Sequence, residues 1–195
     1  MTKNNVQIAI LDFGSQYTHL MSQRIKQLGV LAQIYSPEVD LRELKDVRGI
    51  ILSGGSKSIH DDTALKYNKD IFKFKVPILG LCYGHQLIAY HFNGQVKSGE
   101  VEEYSLATLQ KAGENILLDK FKNSEQVWMS HGDSVIKIPF GFKVIARTRD
   151  CVVAGMAHDE LKLYGLQFHP EVHHTKNGLK ILKNFLFKIC QCEKG

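Results

Sequence analysis

The chain of 195 residues is long enough for one well-buried α/β domain and short for two, and its 44% hydrophobic and 23% charged residues include no apolar run near the ~18 that a membrane span requires. The formal charge of +5 is spread along the chain without an Arg/Lys block interleaved with aromatics, which argues against nucleic-acid binding. Cys82, Cys151, Cys190 and Cys192 have neither metal-ligand spacing nor the density of a disulfide framework, and residues 1–5 lack the cleavage site of a signal peptide, so a reducing, cytoplasmic setting is expected.

Residues 6–12 form an apolar, strand-like run, and Phe13-Gly14-Ser15 then turns into a stretch with Tyr17, Leu20, Met21, Ile25 and Leu28 at helical spacing, closed by Gly29. Further strands are expected at 30–35 and 49–53, the second followed by Gly54-Gly55, then a helix near 64–74 and a strand at 76–81. Strands alternating with helices predict right-handed crossovers and a mostly parallel sheet. From 96 to 138 short alternating segments such as 105–109 and 126–129 predict a small antiparallel extension of hairpins. Strands near 152–157 and 162–168 and an amphipathic helix near 179–190 close the chain. The fold class is α/β, an open sheet flanked by helices. In such sheets ligands bind outside the carboxyl ends of the strands, where Gly14, Gly54-Gly55, Cys82 and His169 all fall.

Gly80-Leu81-Cys82-Tyr83-Gly84 places one cysteine between two glycines where an apolar strand meets a helix. Small flanking residues permit the sharp turn that exposes a nucleophile above a parallel sheet, and a helix N-terminus favours the thiolate. A cysteine nucleophile needs a base and a group to orient it. His169 and Glu171, in Gln167-Phe168-His169-Pro170-Glu171, are the candidates; His85 lies near Cys82 but has no acid to orient it. His169, His173 and His174 lack the further ligand that would complete a metal site, so no metal is expected. Oxyanion donors are expected from the Tyr83 amide and from the turn Ser53-Gly54-Gly55. Gly14-Ser15 and Gly54-Gly55 match neither a dinucleotide fingerprint nor a P-loop.

Gly80-Leu81-Cys82-Tyr83-Gly84-His85-Gln86, with the upstream glycine pair and the downstream Gln167-Phe168-His169-Pro170-Glu171, resembles the class I, triad-type glutamine amidotransferases. Ile10-Leu11-Asp12-Phe13-Gly14-Ser15-Gln16-Tyr17, Val127-Trp128-Met129-Ser130-His131-Gly132-Asp133 and the closing Ile189-Cys190-Gln191-Cys192 narrow the likeness to the glutaminase domains of GMP synthetases, over the full length. The resemblance implies a flavodoxin-like fold, Cys82 as nucleophile, and His169 oriented by Glu171 as acid and base. It further implies Gly55 and Tyr83 backbone amides as oxyanion hole, and Gln86, Ser130, His131, Gly132 and Asp133 as glutamine-binding positions, the last four on a turn. It implies no cofactor in this domain, and ammonia passed to an ATP pyrophosphatase domain or subunit that uses ATP and Mg²⁺ to convert XMP to GMP. No Ser-Gly-Gly-x-Asp-Ser loop of such a domain occurs, and the Cys190-Gln191-Cys192 ending resembles the point where two-domain enzymes continue, so an N-terminal portion without the pyrophosphatase and dimerisation domains is expected.

Three departures from the family pattern stand out: His85 in place of the common methionine, Ser56 in place of a frequent proline, and Glu103-Tyr104-Ser105-Leu106-Ala107 without the usual glycine or arginine after the tyrosine. None removes a catalytic group. Two other readings stay open: a Cys-His hydrolase of another γ-glutamyl substrate, and a regulatory or binding domain that is silent alone.

Overall fold

The computed structural model describes residues 5–61 and 66–195, with the side chains at 99–103 left aside. Its elements are β1 (Ile8–Leu11), α1 (Thr18–Gln27), β2 (Ala32–Tyr35), β3 (Gly49–Leu52), β4 (Ile78–Leu81), α2 (Tyr83–His91), β5 (Gln95–Lys111), β6 (Ser124–Lys137), β7 (Lys143–Arg147), β8 (Gly155–His158), β9 (Leu163–Leu166) and α3 (Gly178–Lys183). The strands form one sheet in the order β2-β1-β3-β4-β9-β8-β7-β5-β6. β2, β1, β3, β4 and β9 are mutually parallel; β8, β7, β5 and β6 pair antiparallel.

The four inner parallel strands are buried at every position, which their near-continuous apolar sequences allow because helices cover both faces. Alternation along each strand divides the core in two. Ile8 and Ile10 face Met21 and Ile25 of α1 together with Ile181 and Phe185 of the C-terminal segment; Ala9 and Leu11 face the side that holds Tyr83, Leu87 and Ile88 of α2. No helix among the described residues is long and apolar enough to cross a membrane. The expectation at residues 1–4 lies outside the described residues.

Four local expectations are corrected. Of the helix expected over 64–74, residues 62–65 lie outside the described part, and the described remainder carries a 3₁₀ stretch, Lys69–Lys73, capped by the Asn68 side chain accepting from the Asp70 amide, in place of an α-helix. The antiparallel region is one long hairpin, 17 residues in β5 and 14 in β6, rather than several short segments, and β7 was not foreseen. Residues Ser130, His131, Gly132 and Asp133 lie within β6, not on a turn, opposite a register shift between Ser98 and Glu103. The closing helix splits: after α3 the chain widens over Asn184–Ile189 into π-helical turns, with Cys190 N–H donating to Phe185 O at 2.8 Å.

Candidate active site

Cys82 sits between β4 and α2 at φ 51° and ψ −104°, a backbone conformation that costs a non-glycine residue about 1–3 kcal/mol. Its glycine neighbours make the turn possible. A Cβ at Gly80 would run into the Gly84 carbonyl, and one at Gly84 would run into the Leu52 carbonyl on β3. Backbone bonds from Cys82 N–H to Leu166 O at 2.8 Å and from Gly84 N–H to Ser53 O at 3.2 Å pin the elbow to both neighbouring strands. The thiol donates to the Ser130 carbonyl at 3.3 Å.

His169 follows β9 and is held through its own backbone. Its N–H donates to Trp128 O at 3.2 Å, and its carbonyl accepts from the Thr175 hydroxyl at 2.6 Å. That hydroxyl also accepts from Trp128 N–H at 3.0 Å, so one threonine fastens the histidine to β6. The ring Nδ1 lies 2.8 Å from Glu171 Oε1, with both side chains almost fully buried, which leaves Nε2 for the Cys82 thiol. Burial pulls the imidazole pKa down, but the Glu171 carboxylate and the hydrogen bonds to Cys82 and Glu171 outweigh it and raise His169 to about 10. Tyr17 packs edge-on against the ring with centroids 4.9 Å apart.

Above these groups opens a cavity of about 530 Å³. Gly55, Gln86 and the β6 stretch of Ser130, His131, Gly132 and Asp133 line it together with Cys82 and His169, so those sequence-predicted positions converge on one space. Glu171 lies behind His169 and takes no part in the lining. The Tyr83 ring packs against Phe13 at 5.3 Å, and its amide opens the first turn of α2. The turn at Ser53-Gly54-Gly55 is fixed by the Ser53 hydroxyl, which accepts from Phe13 N–H at 2.9 Å and donates to Gly54 O at 2.8 Å. Gly55 has no room for a side chain, since a Cβ there would lie 2.5 Å from Phe13 O, and a Cβ at Gly54 would press on the His169 ring, 3.1 Å from Cε1.

Several residues at and behind the cavity leave no signal in the sequence. Ser58 donates to Asp133 Oδ2 at 2.5 Å and so ties the loop after β3 to β6. Ser53 and Thr175, behind the cavity, act through hydroxyl contacts across the fold, which leave no spacing signal. His85 turns away from the cavity: it is fully buried, its Nε2 lies 3.0 Å from Val153 O, and burial lowers its pKa to about 3, so it is neutral. His173 and His174 stack on each other at 3.7 Å, and no group of three or more potential metal ligands occurs among the described residues. The arrangement as a whole supplies a strained thiol, a buried imidazole aligned by a carboxylate, and a polar cavity large enough for an amino acid.

Comparison with known proteins agrees with this geometry. The family model for glutamine amidotransferase class-I matches residues 9–189. Among curated relatives, a glutamine-hydrolysing GMP synthase of Vibrio vulnificus strain CMCP6 is 43% identical over 198 residues, covering 100% of this chain and 38% of that protein. One of Brachyspira hyodysenteriae is 43% identical over 196 residues, covering 99% and 38%. The chain thus spans little more than a third of the length of these relatives. Among solved structures, a Thermoplasma acidophilum protein assigned as a GMP synthase subunit superposes with a TM-score of 0.87 at 33% identity, covering 95% of this chain and 94% of that one. A Thermotoga maritima glutamine amidotransferase, 22% identical, shares the fold with a TM-score of 0.73 over 94% of this chain and 82% of its own.

Proposed function

This chain belongs to the class-I glutamine amidotransferase family, and we propose that it hydrolyses glutamine to glutamate and ammonia with Cys82 as nucleophile, His169 as acid and base, and Glu171 as the group that orients the histidine. One observation carries the reading: the only strained non-glycine residue at the carboxyl end of a parallel strand among the described residues is a cysteine, and beside it stands a histidine already bonded to a buried carboxylate.

In the proposed sequence, Cys82 reacts as a thiolate whose proton already rests on Nε2 of His169, in keeping with the raised imidazole pKa, and attacks Cδ of the glutamine side chain. The carbonyl oxygen, now negative, is held by the backbone N–H groups of Gly55 and Tyr83. As the C–N bond breaks, His169 gives its proton to the departing nitrogen, which leaves as ammonia, and a γ-glutamyl thioester remains on Cys82. Water then attacks the thioester, loses a proton to His169, and releases glutamate as the C–S bond breaks. The raised pKa of His169 suits the first half, because the imidazolium persists until the leaving group needs its proton. Gln86, Ser130, His131, Gly132 and Asp133 are proposed to hold the α-amino acid end of the substrate in the cavity they line.

The ammonia is proposed to pass to an ATP pyrophosphatase domain or subunit that uses ATP and Mg²⁺ to convert XMP to GMP. The names of the curated relatives and their greater length support this reading. The test is ammonia release from glutamine by this chain alone, then with a separately made ATP pyrophosphatase domain, ATP, Mg²⁺ and XMP. A rate that rises on adding the partner, and that Cys82→Ala abolishes, supports the proposal. Undiminished hydrolysis by Cys82→Ala would sink it, and preference for another γ-glutamyl compound in competition would reassign the substrate.

A further inference from the structure

Two buried glutamines stand between the elements that carry the nucleophile and its base. Gln86 lies one turn past Cys82 on α2, and Gln167 follows the end of β9 two residues before His169; they are 3% and 0% exposed. The ladder between β4 and β9 stops at Leu81 and Leu166, and beyond it the chain that goes on to His169 keeps backbone bonds on its other side, from Gln167 N–H to Ala154 O at 2.9 Å and from His169 N–H to Trp128 O at 3.2 Å. Toward α2 the contact that continues the attachment is between side chains: Gln86 Nε2 donates to Gln167 Oε1 at 3.3 Å and also to the Asp133 carbonyl of β6 at 2.7 Å.

These contacts fix both amides. Asp133 offers a carbonyl, so Gln86 must turn its NH₂ group toward it, and Gln167 must then present its oxygen to Gln86. The Gln167 NH₂ group is left buried with no hydrogen-bond partner among the described residues. Buried donors are nearly always satisfied, and leaving one orphaned is costly. An apolar side chain of similar volume would remove that orphan, so stability does not explain why a glutamine stands at 167.

We infer that Gln167 is a positioning residue, which through Gln86 locks the strand end carrying His169 against the helix carrying Cys82 and the β6 wall carrying Asp133. The inference rests on the proposed reading of Cys82 and His169 as nucleophile and base. Glutamine at 167 serves because its oxygen is a rigidly aimed acceptor on the side facing α2, where the β4–β9 ladder no longer sets the spacing.

The test is Gln167→Met, which keeps the volume and removes the amide, with Gln167→Leu read in the same way. Three readouts are taken: kcat and KM for glutamine, the rate at which iodoacetamide alkylates Cys82 as followed by peptide mass, and Tm. The expected result is a kcat about tenfold lower with KM changed less than about twofold, since an alignment used in the transition state is lost. Alkylation should slow by about the same factor, because the thiol loses its aligned partner. Tm should stay within about 3 °C, because the donor removed at 167 offsets the one left unpaired on Gln86.

Alkylation needs no glutamine, so slowed alkylation in a chain whose wild type does not hydrolyse glutamine would retract the substrate and keep the positioning role. Unchanged alkylation in both variants overturns the inference. Faster alkylation with a Tm lower by about 10 °C or more overturns it as well, because a residue that only packs would loosen and expose the buried thiol. Failure of both variants to fold counts in the same direction.

Discussion

The parallel half of the sheet and its antiparallel half bring functional groups to the same cavity by different means. On the parallel side the backbone does the placing: Cys82 is held at φ 51° by two flanking glycines, neither of which has space for a methyl group. On the antiparallel side the backbone bond from His169 N–H to Trp128 O is joined by a set of side-chain bonds. Ser58 reaches Asp133, Gln86 reaches the Asp133 carbonyl, and Thr175 fastens His169 to Trp128. A wall positioned by backbone fails abruptly on the smallest addition, whereas a wall positioned by side-chain bonds degrades in steps as each bond is lost.

The largest effect that would break this contrast is chemical. Glu171→Gln keeps a hydrogen-bonding oxygen near His169 and removes the charge; hydrolysis is expected to fall by about 10²–10³-fold with little change in KM, measured by steady-state ammonia release. A loss of less than about threefold would show that the carboxylate is dispensable. Next comes Gly84→Ala, a single methyl on the parallel side aimed at the Leu52 carbonyl. It is expected to cost about 2–4 kcal/mol in denaturant unfolding and to remove activity with it, because backbone on both sides prevents relief.

A pH series sharpens the same point. The folded-state pKa of His169 is raised from 6.5 to about 10, so the stability it contributes is fully present below pH 6.5 and is lost as pH rises through about 10. Urea unfolding across that window should show declining stability, and the decline should flatten in Glu171→Gln, which removes the main cause of the upward shift. The smallest effect is expected on the antiparallel rim. Tyr104 lines the cavity yet is 58% exposed, so Tyr104→Ala should change stability by less than about 0.5 kcal/mol and alter KM by only a few fold.

The same division explains what the amino-acid sequence reveals. The elbow, the glycine pair and the histidine motif are legible because backbone constraints leave fixed glycine spacings and because β1, β3, β4 and β9 must be apolar throughout. The β6 stretch was readable as a group of site residues but not as strand, since four small or polar residues in a row look like a turn until the register shift opposite them is seen. In the described part of the helix expected over 64–74, Asn68 caps a short 3₁₀ stretch in place of continuing an α-helix. Gln167 carries no legible role in its motif, because its partner lies 81 positions away and only the fold reveals that the two amides meet.

The central claim is that Cys82 carries the glutamyl group of glutamine. The direct measurement is a brief incubation with radiolabelled glutamine, an acid quench, and peptide mapping of the label. Hydroxylamine-labile label on the Cys82 peptide, absent in Cys82→Ala, is the result expected of a γ-glutamyl thioester. Ammonia release in the same reaction with no label on Cys82, or with label retained in Cys82→Ala, would contradict it.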